Sequence, residues 1–193
     1  MTSRELMLAA IRAARPAPVE RPDVRAAVAG LPLQADAVRS FIEAAEAAAA
    51  RVLEGRRAEL ATMIATAYPA MGRQVSAMQA LDTGAGAELP HSFADTDVFV
   101  CEAVLGVAEN GAVWLPLSRL RHRSALFLAA NVIVVLDRAR IVGNLHDAYA
   151  AIDVAADGFG VFVSGPSKTA DIEQALVIGA HGAKSLTILL LEE

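Results

Sequence analysis

Apolar residues follow two rhythms along this chain, and the change falls near Asp97. Before it they recur every three or four residues, the spacing of one helical face. Ser3 to Arg15 reads as a short amphipathic helix with Leu6, Ala10 and Ala13 on one side and Ser3 as its cap. Pro16, Pro18 and Pro22 then predict an extended arm, because proline cannot continue a helix. Leu33 to Leu53 predicts a long alanine-rich helix that buries Val38, Phe41, Ile42, Ala45 and Ala49, with Gly55 interrupting. Arg57 to Tyr68 predicts a second helix, closed by Tyr68-Pro69. Gln74 to Met78 suits a short edge strand, and Leu81 to His91, rich in Gly, Ala and Asp, a loop.

From Asp97 the apolar residues come in short runs broken by turn residues, so the sheet is expected to begin there. Val98–Val107 and Ala112–Leu117 flank Glu109-Asn110-Gly111. Asn-Gly in that setting predicts a hairpin with a type I′ turn, whose two central residues need positive φ. Arg119, Arg121 and Arg123 alternate with Leu120 and His122. They suit an edge strand protected by charge, the preferred reading, or one wall of an anion pocket. Asn131 to Leu136 reads as a buried strand with Asp137 at its carboxyl end. Ile141 to Ile152 predicts a helix with Leu145, Ala148, Tyr149 and Ile152 inward, and Ala155 to Gly160 a loop.

The last stretch, Val161 to Leu191, predicts a complete crossover: strand Val161–Val163, turn Ser164-Gly165-Pro166, helix, glycine stop, strand Ser185–Leu191. Thr169 would cap the helix with Asp171 in its first turn. Ile172, Ala175 and Leu176 keep its spacing, and Gly179 and Gly182 suit its exit. A crossover of this kind makes its two strands parallel in one sheet. Alternating strands and helices indicate an α/β domain over residues 31–193, preceded by a helix and Pro-rich arm over residues 1–30.

Composition narrows the function classes. The 193 residues are 55% hydrophobic and 20% charged, enough for one α/β domain with a sizeable core. The net charge of −5 and the lack of a basic block argue against nucleic acid as a partner. One cysteine excludes an intrachain disulfide and a Cys-based cluster in this chain, and accords with a cytoplasmic location. Charges run through the first fifteen residues, unlike a secretory signal. The longest nearly apolar stretch, Ser124 to Leu136, is too short to span a bilayer.

The candidate chemistry clusters late in the chain. Ser164 to Thr169 lies at a strand-to-helix junction, where ligands of open α/β sheets gather and a helix start offers free N–H donors. Ser164, Gly165, Ser167, Lys168, Thr169, Asp171 and Gly182 are the candidate ligand-binding residues. The plainer reading is a tight turn with a solvated Lys168. The stretch is not a phosphate-binding P-loop, since Gly-Lys never occurs. His181 could act as acid or base near neutral pH; the plainer reading is a helix C-cap. Glu109 sits at the hairpin tip, as a solvated turn residue or a pocket carboxylate. His91, His122, His146 and His181 lack metal-ligand spacing. Neither G-x-S-x-G nor G-x-G-x-x-G occurs. Cys101 reads as a small buried hydrophobe.

The residues Gly165-Pro166-Ser167-Lys168-Thr169-Ala170-Asp171-Ile172-Glu173, then Gly179, His181 and Gly182, resemble the C-terminal signature of LUD-domain proteins, in their LutC/YkgG branch of lactate utilisation proteins. That signature runs GPS, a basic residue, TADIE, then G-x-HGP; here Ala183 replaces the last proline. Ala108-Glu109-Asn110-Gly111 is similar to the family's A-E-T-G hairpin, with Asn110 for threonine. The resemblance implies a Rossmann-like three-layer sandwich of the NagB/RpiA/CoA-transferase fold. It implies a part in oxidising L-lactate to pyruvate beside iron–sulfur partner subunits, with no cofactor in this chain. A small carboxylate or phosphate would lie near Lys168, with His181 and Glu109 around it. The alternative is a stand-alone acyl or CoA transferase, or a sugar-phosphate isomerase, using Glu109 or Asp171. A homo-oligomer stays open.

Overall fold

The computed structural model describes residues 2–20, 22–23, 26, 36–70, 72–78, 81, 89–169 and 177–193. It divides into two compact units, Met1–Pro32 and Leu33–Glu193. In the first, α1 (Ser3–Ala13) is capped by Thr2 rather than by Ser3: the Thr2 hydroxyl accepts from Glu5 N–H and the Glu5 carboxylate accepts from Thr2 N–H. This reciprocal box satisfies two amides that the helix leaves open.

The second unit is built on a five-stranded, all-parallel sheet. Its strands are β1 (Arg51–Arg56), β2 (Gln74–Ser76), β3 (Val98–Glu102), β6 (Asn131–Asp137) and β11 (Ser185–Glu192), in the order β1-β11-β6-β3-β2. A second sheet of four strands runs β7-β4-β5-β8: β4 (Leu105–Val107), β5 (Ala112–Pro116), β7 (Ile141–Val142) and β8 (Gly160–Val163). Helices α2 (Ala37–Ala47), α3 (Leu60–Ala67), α4 (Ala125–Leu128), α5 (Leu145–Ala151) and α6 (Val154–Asp157) complete the unit, with a short ribbon of β9 (Lys168–Thr169) and β10 (Val177–Ile178).

Alternation along the central strands sorts the core onto two faces, since successive side chains point oppositely. Phe99, Cys101, Val132, Val134, Leu136, Leu186, Ile188 and Leu190 face Phe41 and Ala45 of α2 and Val113 and Leu115 of β5. Val98, Val100, Ile133, Val135, Leu189 and Leu191 face Leu60 and Ile64 of α3. A strand buried on both faces reads as a continuous apolar run, as β6 and β11 do. The outer side of the second sheet packs Leu105, Val107 and Trp114 against Ala148 of α5. The second unit is thus the expected α/β sandwich, with helix α3, the parallel sheet, and α2 with the second sheet as its layers.

Several local expectations give way. The alanine-rich helix does not reach Leu53: α2 ends at Ala47, Ala49 adopts φ +66, and the chain enters β1. There Val52 and Leu53 pair beside Ile188 and Leu189. Sheet pairing outweighs helix propensity, and the sheet begins at Arg51, well before Asp97. Val98–Val107 is two strands in different sheets. The hairpin at Glu109 is a four-residue loop: Val107 pairs with Ala112, Gly111 alone has positive φ (+64), and Asn110 Oδ1 accepts from Ala112 N–H. The type I′ turn is therefore absent. Arg119, Arg121 and Arg123 lie in turns rather than on an edge strand. Ile141–Val142 is a strand, so the helix there starts at Leu145, and Tyr149 is exposed. Residues 154–157 are a helical turn rather than loop.

The largest correction concerns the last crossover. β8 pairs antiparallel with β5 in the second sheet, while β11 lies in the first, between β1 and β6. The two strands share no sheet, so no βαβ unit joins them. Thr169 pairs with Val177 in the ribbon, and the helix expected to follow it lies outside the described residues. Asp171, Ile172, Ala175 and Leu176 lie outside the described residues. Among the described residues no helix is long and apolar enough to cross a membrane.

Candidate functional site

The Gly-Pro-Ser turn after β8 is held from three sides. Ser164 Oγ donates to the Asn110 carbonyl at 2.9 Å, joining the turn to the hairpin tip. Ser167 N–H donates to the Ala183 carbonyl (3.0 Å), and Gly179 N–H donates to the Ser167 carbonyl (2.9 Å). Gly165 has φ +74, and a β-carbon there would lie 1.9 Å from the Ala48 carbonyl oxygen at the end of α2. Only glycine lets the turn approach the helix end this closely.

These ties bring the two halves of the sequence motif together around one cleft of about 340 Å³. Ser164, Gly165, Ser167, His181 and Gly182 contribute its polar rim. Leu126 and Phe127 of α4, Val132 of β6, Val163 of β8 and Leu186 of β11 form an apolar wall. Such a mix suits a small organic ligand: apolar contacts bury its carbon end while a few convergent polar groups orient the other. Ser167 offers a hydroxyl donor, Ser164, whose proton is given to Asn110, can only accept, and the exposed His181 imidazole can donate or accept.

The remaining candidates stand elsewhere. Lys168 is exposed on β9 and does not line the cleft, although a β-carbon on Gly165 would meet its Nζ at 2.6 Å, so the ammonium lies just behind the wall. Thr169 is held in the ribbon. Glu109 Oε2 accepts from Leu145 N–H at 3.0 Å, beside the Asn144 cap of α5. The carboxylate thus serves a helix start, where negative charge is favourable. Asp171 is outside the described residues. The apolar wall carries no sequence signal: its residues come from α4, β6, β8 and β11, and each fits its own element's pattern.

The cleft follows the carboxyl end of β8, as expected, but that strand belongs to the second sheet, and relative to the parallel sheet the cleft lies at the other end. Val132 and Leu186 are the second residues of β6 and β11, so it opens at the amino ends of the parallel strands. At the carboxyl ends, Arg138 is paired with Glu54 (2.8 Å) and Glu192 (3.2 Å). Cys101, fully buried in β3, has its thiol pushed up by burial to about 12. It therefore offers no thiolate, and this sequence holds no second cysteine with which to bind an iron–sulfur cluster. Among the described residues no group of three or more His, Cys, Asp or Glu side chains is placed to hold a metal ion.

An all-parallel sheet between helical and mixed layers, with a turn-lined cleft at its amino end, defines a Rossmann-like three-layer α/β protein. A crystal structure of a DUF162 family protein from Deinococcus radiodurans superposes with a TM-score of 0.64 at 16% identity, covering 83% of this chain and all of that one. The chain belongs to the LUD domain family, whose model matches residues 33–191. It is 31% identical over 118 residues to lactate utilization protein C of Bacillus licheniformis, a match covering 58% of this chain and 49% of that relative. A protein of the same name from Geobacillus kaustophilus is 28% identical over 131 residues, covering 65% and 49%. The chain spans about half the length of the curated relatives it matches.

Proposed function

We propose that this LUD protein works in lactate utilisation by holding a small 2-hydroxy or 2-oxo carboxylate in the cleft between Ser164–Ser167 and His181–Gly182. The observation that carries the reading is the convergence of both halves of the motif on one cleft with an apolar wall. L-lactate has the matching chemistry. Its methyl group suits Leu126, Phe127 and Leu186, and its carboxylate suits the Ser167 hydroxyl and His181. The names of the relatives support lactate as the substrate class.

Oxidation of L-lactate to pyruvate releases two electrons and two protons. In this reading the acceptor is an iron–sulfur centre of another subunit, a reading supported by the lone, buried cysteine of this sequence. This chain then contributes substrate binding and orientation to an assembly. The position of Glu109, engaged at the start of α5, gives no support to a transferase that uses it as nucleophile.

The test is the full chain purified from cells grown on L-lactate, assayed for lactate-dependent reduction of a two-electron dye. Co-purified iron-bearing subunits with lactate-dependent dye reduction are expected. The proposal fails if cells deleted for the chain oxidise L-lactate undiminished.

A further inference from the structure

A second cleft, of about 350 Å³, is lined by Pro90, Phe93, Arg121, His122, Arg123 and Ser124 and shares no residue with the first. We propose that it binds the phosphate group of a small molecule, with His122 and Arg123 as its principal contacts.

His122 is the unusual member. It is 8% exposed, and its ring packs, tilted by 40°, against the buried Phe93 with centroids 4.8 Å apart. Phe93 is fixed in turn by the Arg73 guanidinium 5.5 Å from its centroid. The imidazole is thus packed within the wall, yet it makes no hydrogen bond among the described residues. Its nitrogens are also not among the side-chain atoms sealed from solvent without a partner, which are Thr96 Oγ1 and Trp114 Nε1. Buried polar groups are nearly always hydrogen-bonded. A largely buried, unpartnered imidazole at the wall of a cleft has the form of a group awaiting a ligand atom.

The surroundings select an anion. The described lining offers the Arg123 guanidinium and no carboxylate, while Arg121, which also lines it, has a partner of its own. Arg123 is exposed and supplies a planar fork that matches oxyanions. Ser124 adds a hydroxyl donor. A guanidinium fork, an imidazole N–H and a hydroxyl are donors of three different geometries. A tetrahedral phosphate has oxygens for all three, whereas a planar carboxylate has two. Phe93 and Pro90 give the site an apolar side on which the organic part of the molecule can lie.

The experiment follows the imidazole resonances of His91, His122, His146 and His181 by NMR in the full chain, with H122Q for assignment. Inorganic phosphate is titrated against chloride at matched ionic strength. The His122 signals are expected to move saturably. R123Q should weaken the apparent affinity about tenfold or more, as loss of a charge-assisted contact does. R119Q, a neighbouring charge outside the cleft, should leave it unchanged. The proposal is overturned by an unmoved His122, by equal weakening in R119Q, or by acetate acting as strongly as phosphate. Movement of His181 alone would also overturn it, by placing the anion in the other cleft.

Discussion

Replacing Gly165 by alanine tests the close approach that shapes the motif cleft, and Gly158 supplies a matched control. Both glycines have left-handed φ, +74 and +71. They differ in what an added β-carbon meets: at Gly158 nothing lies within 4 Å, while at Gly165 the Ala48 carbonyl oxygen lies at 1.9 Å. An alanine forced to positive φ costs about 1 kcal/mol or somewhat more. The contact at Gly165 is with backbone, so either the turn or the end of α2 must move, adding about 1–3 kcal/mol. Gly158→Ala should therefore cost about 1 kcal/mol, and Gly165→Ala about 3 kcal/mol. For a chain of this length those losses lower Tm by roughly 2–4 °C and roughly 6–12 °C. Urea titrations followed by circular dichroism measure both, provided the slopes match the wild type. Equal losses in the two variants would refute the argument, because they would show that the helix end does not constrain the turn.

Two further outcomes follow from side chains that the structure places away from both clefts. Burial raises the Cys101 thiol from 9.0 to about 12, so the folded chain keeps its proton where the unfolded chain loses it. This contribution is complete below the unfolded thiol pKa and is lost as pH rises from 9.0 towards about 12. Cys101→Ala should flatten that alkaline slope in unfolding free energy, and an unchanged slope would contradict the burial of the thiol. Glu109→Gln should cost about 0.5–1 kcal/mol through the weakened start of α5, read as a small fall in Tm. It should leave ligand affinity intact, and a collapse of affinity would return Glu109 to the site.

The sequence shows most where burial is complete. β6 and β11 are legible because both faces are covered, with Thr187, whose hydroxyl bonds Tyr68, the one polar residue inside either apolar run. β1 is hidden because Arg51–Arg56 follows an alanine-rich helix, and only its pairing with β11 makes it a strand. β8 looks like half of a crossover because its length and flanking turn suit one; which sheet it joins depends on β5, some fifty residues earlier. The hairpin at Glu109 is legible from Asn-Gly, but the turn type is set by the register Val107 to Ala112. At the candidate site, Ser164, Gly165, Ser167, His181 and Gly182 stand out by their motif and do meet in one cleft. Lys168 shares the motif, but strand alternation through β9 takes it off the rim. The wall of Leu126, Phe127, Val132 and Leu186 leaves no trace in sequence, since it is assembled from elements that are separately apolar.

The central claim, that the motif cleft binds a small carboxylate, is tested most directly by the melting temperature of the full chain with L-lactate and with pyruvate, in wild type and in His181→Ala. A ligand that binds only the folded state at a hundred times its Kd adds about 2.7 kcal/mol. That corresponds to a rise in Tm of roughly 5–11 °C for a chain of this size. The account predicts such a rise in wild type and a clearly smaller one in His181→Ala, whose exposed side chain can be removed without disturbing the core. No rise with either acid, or an equal rise in both proteins, would contradict it.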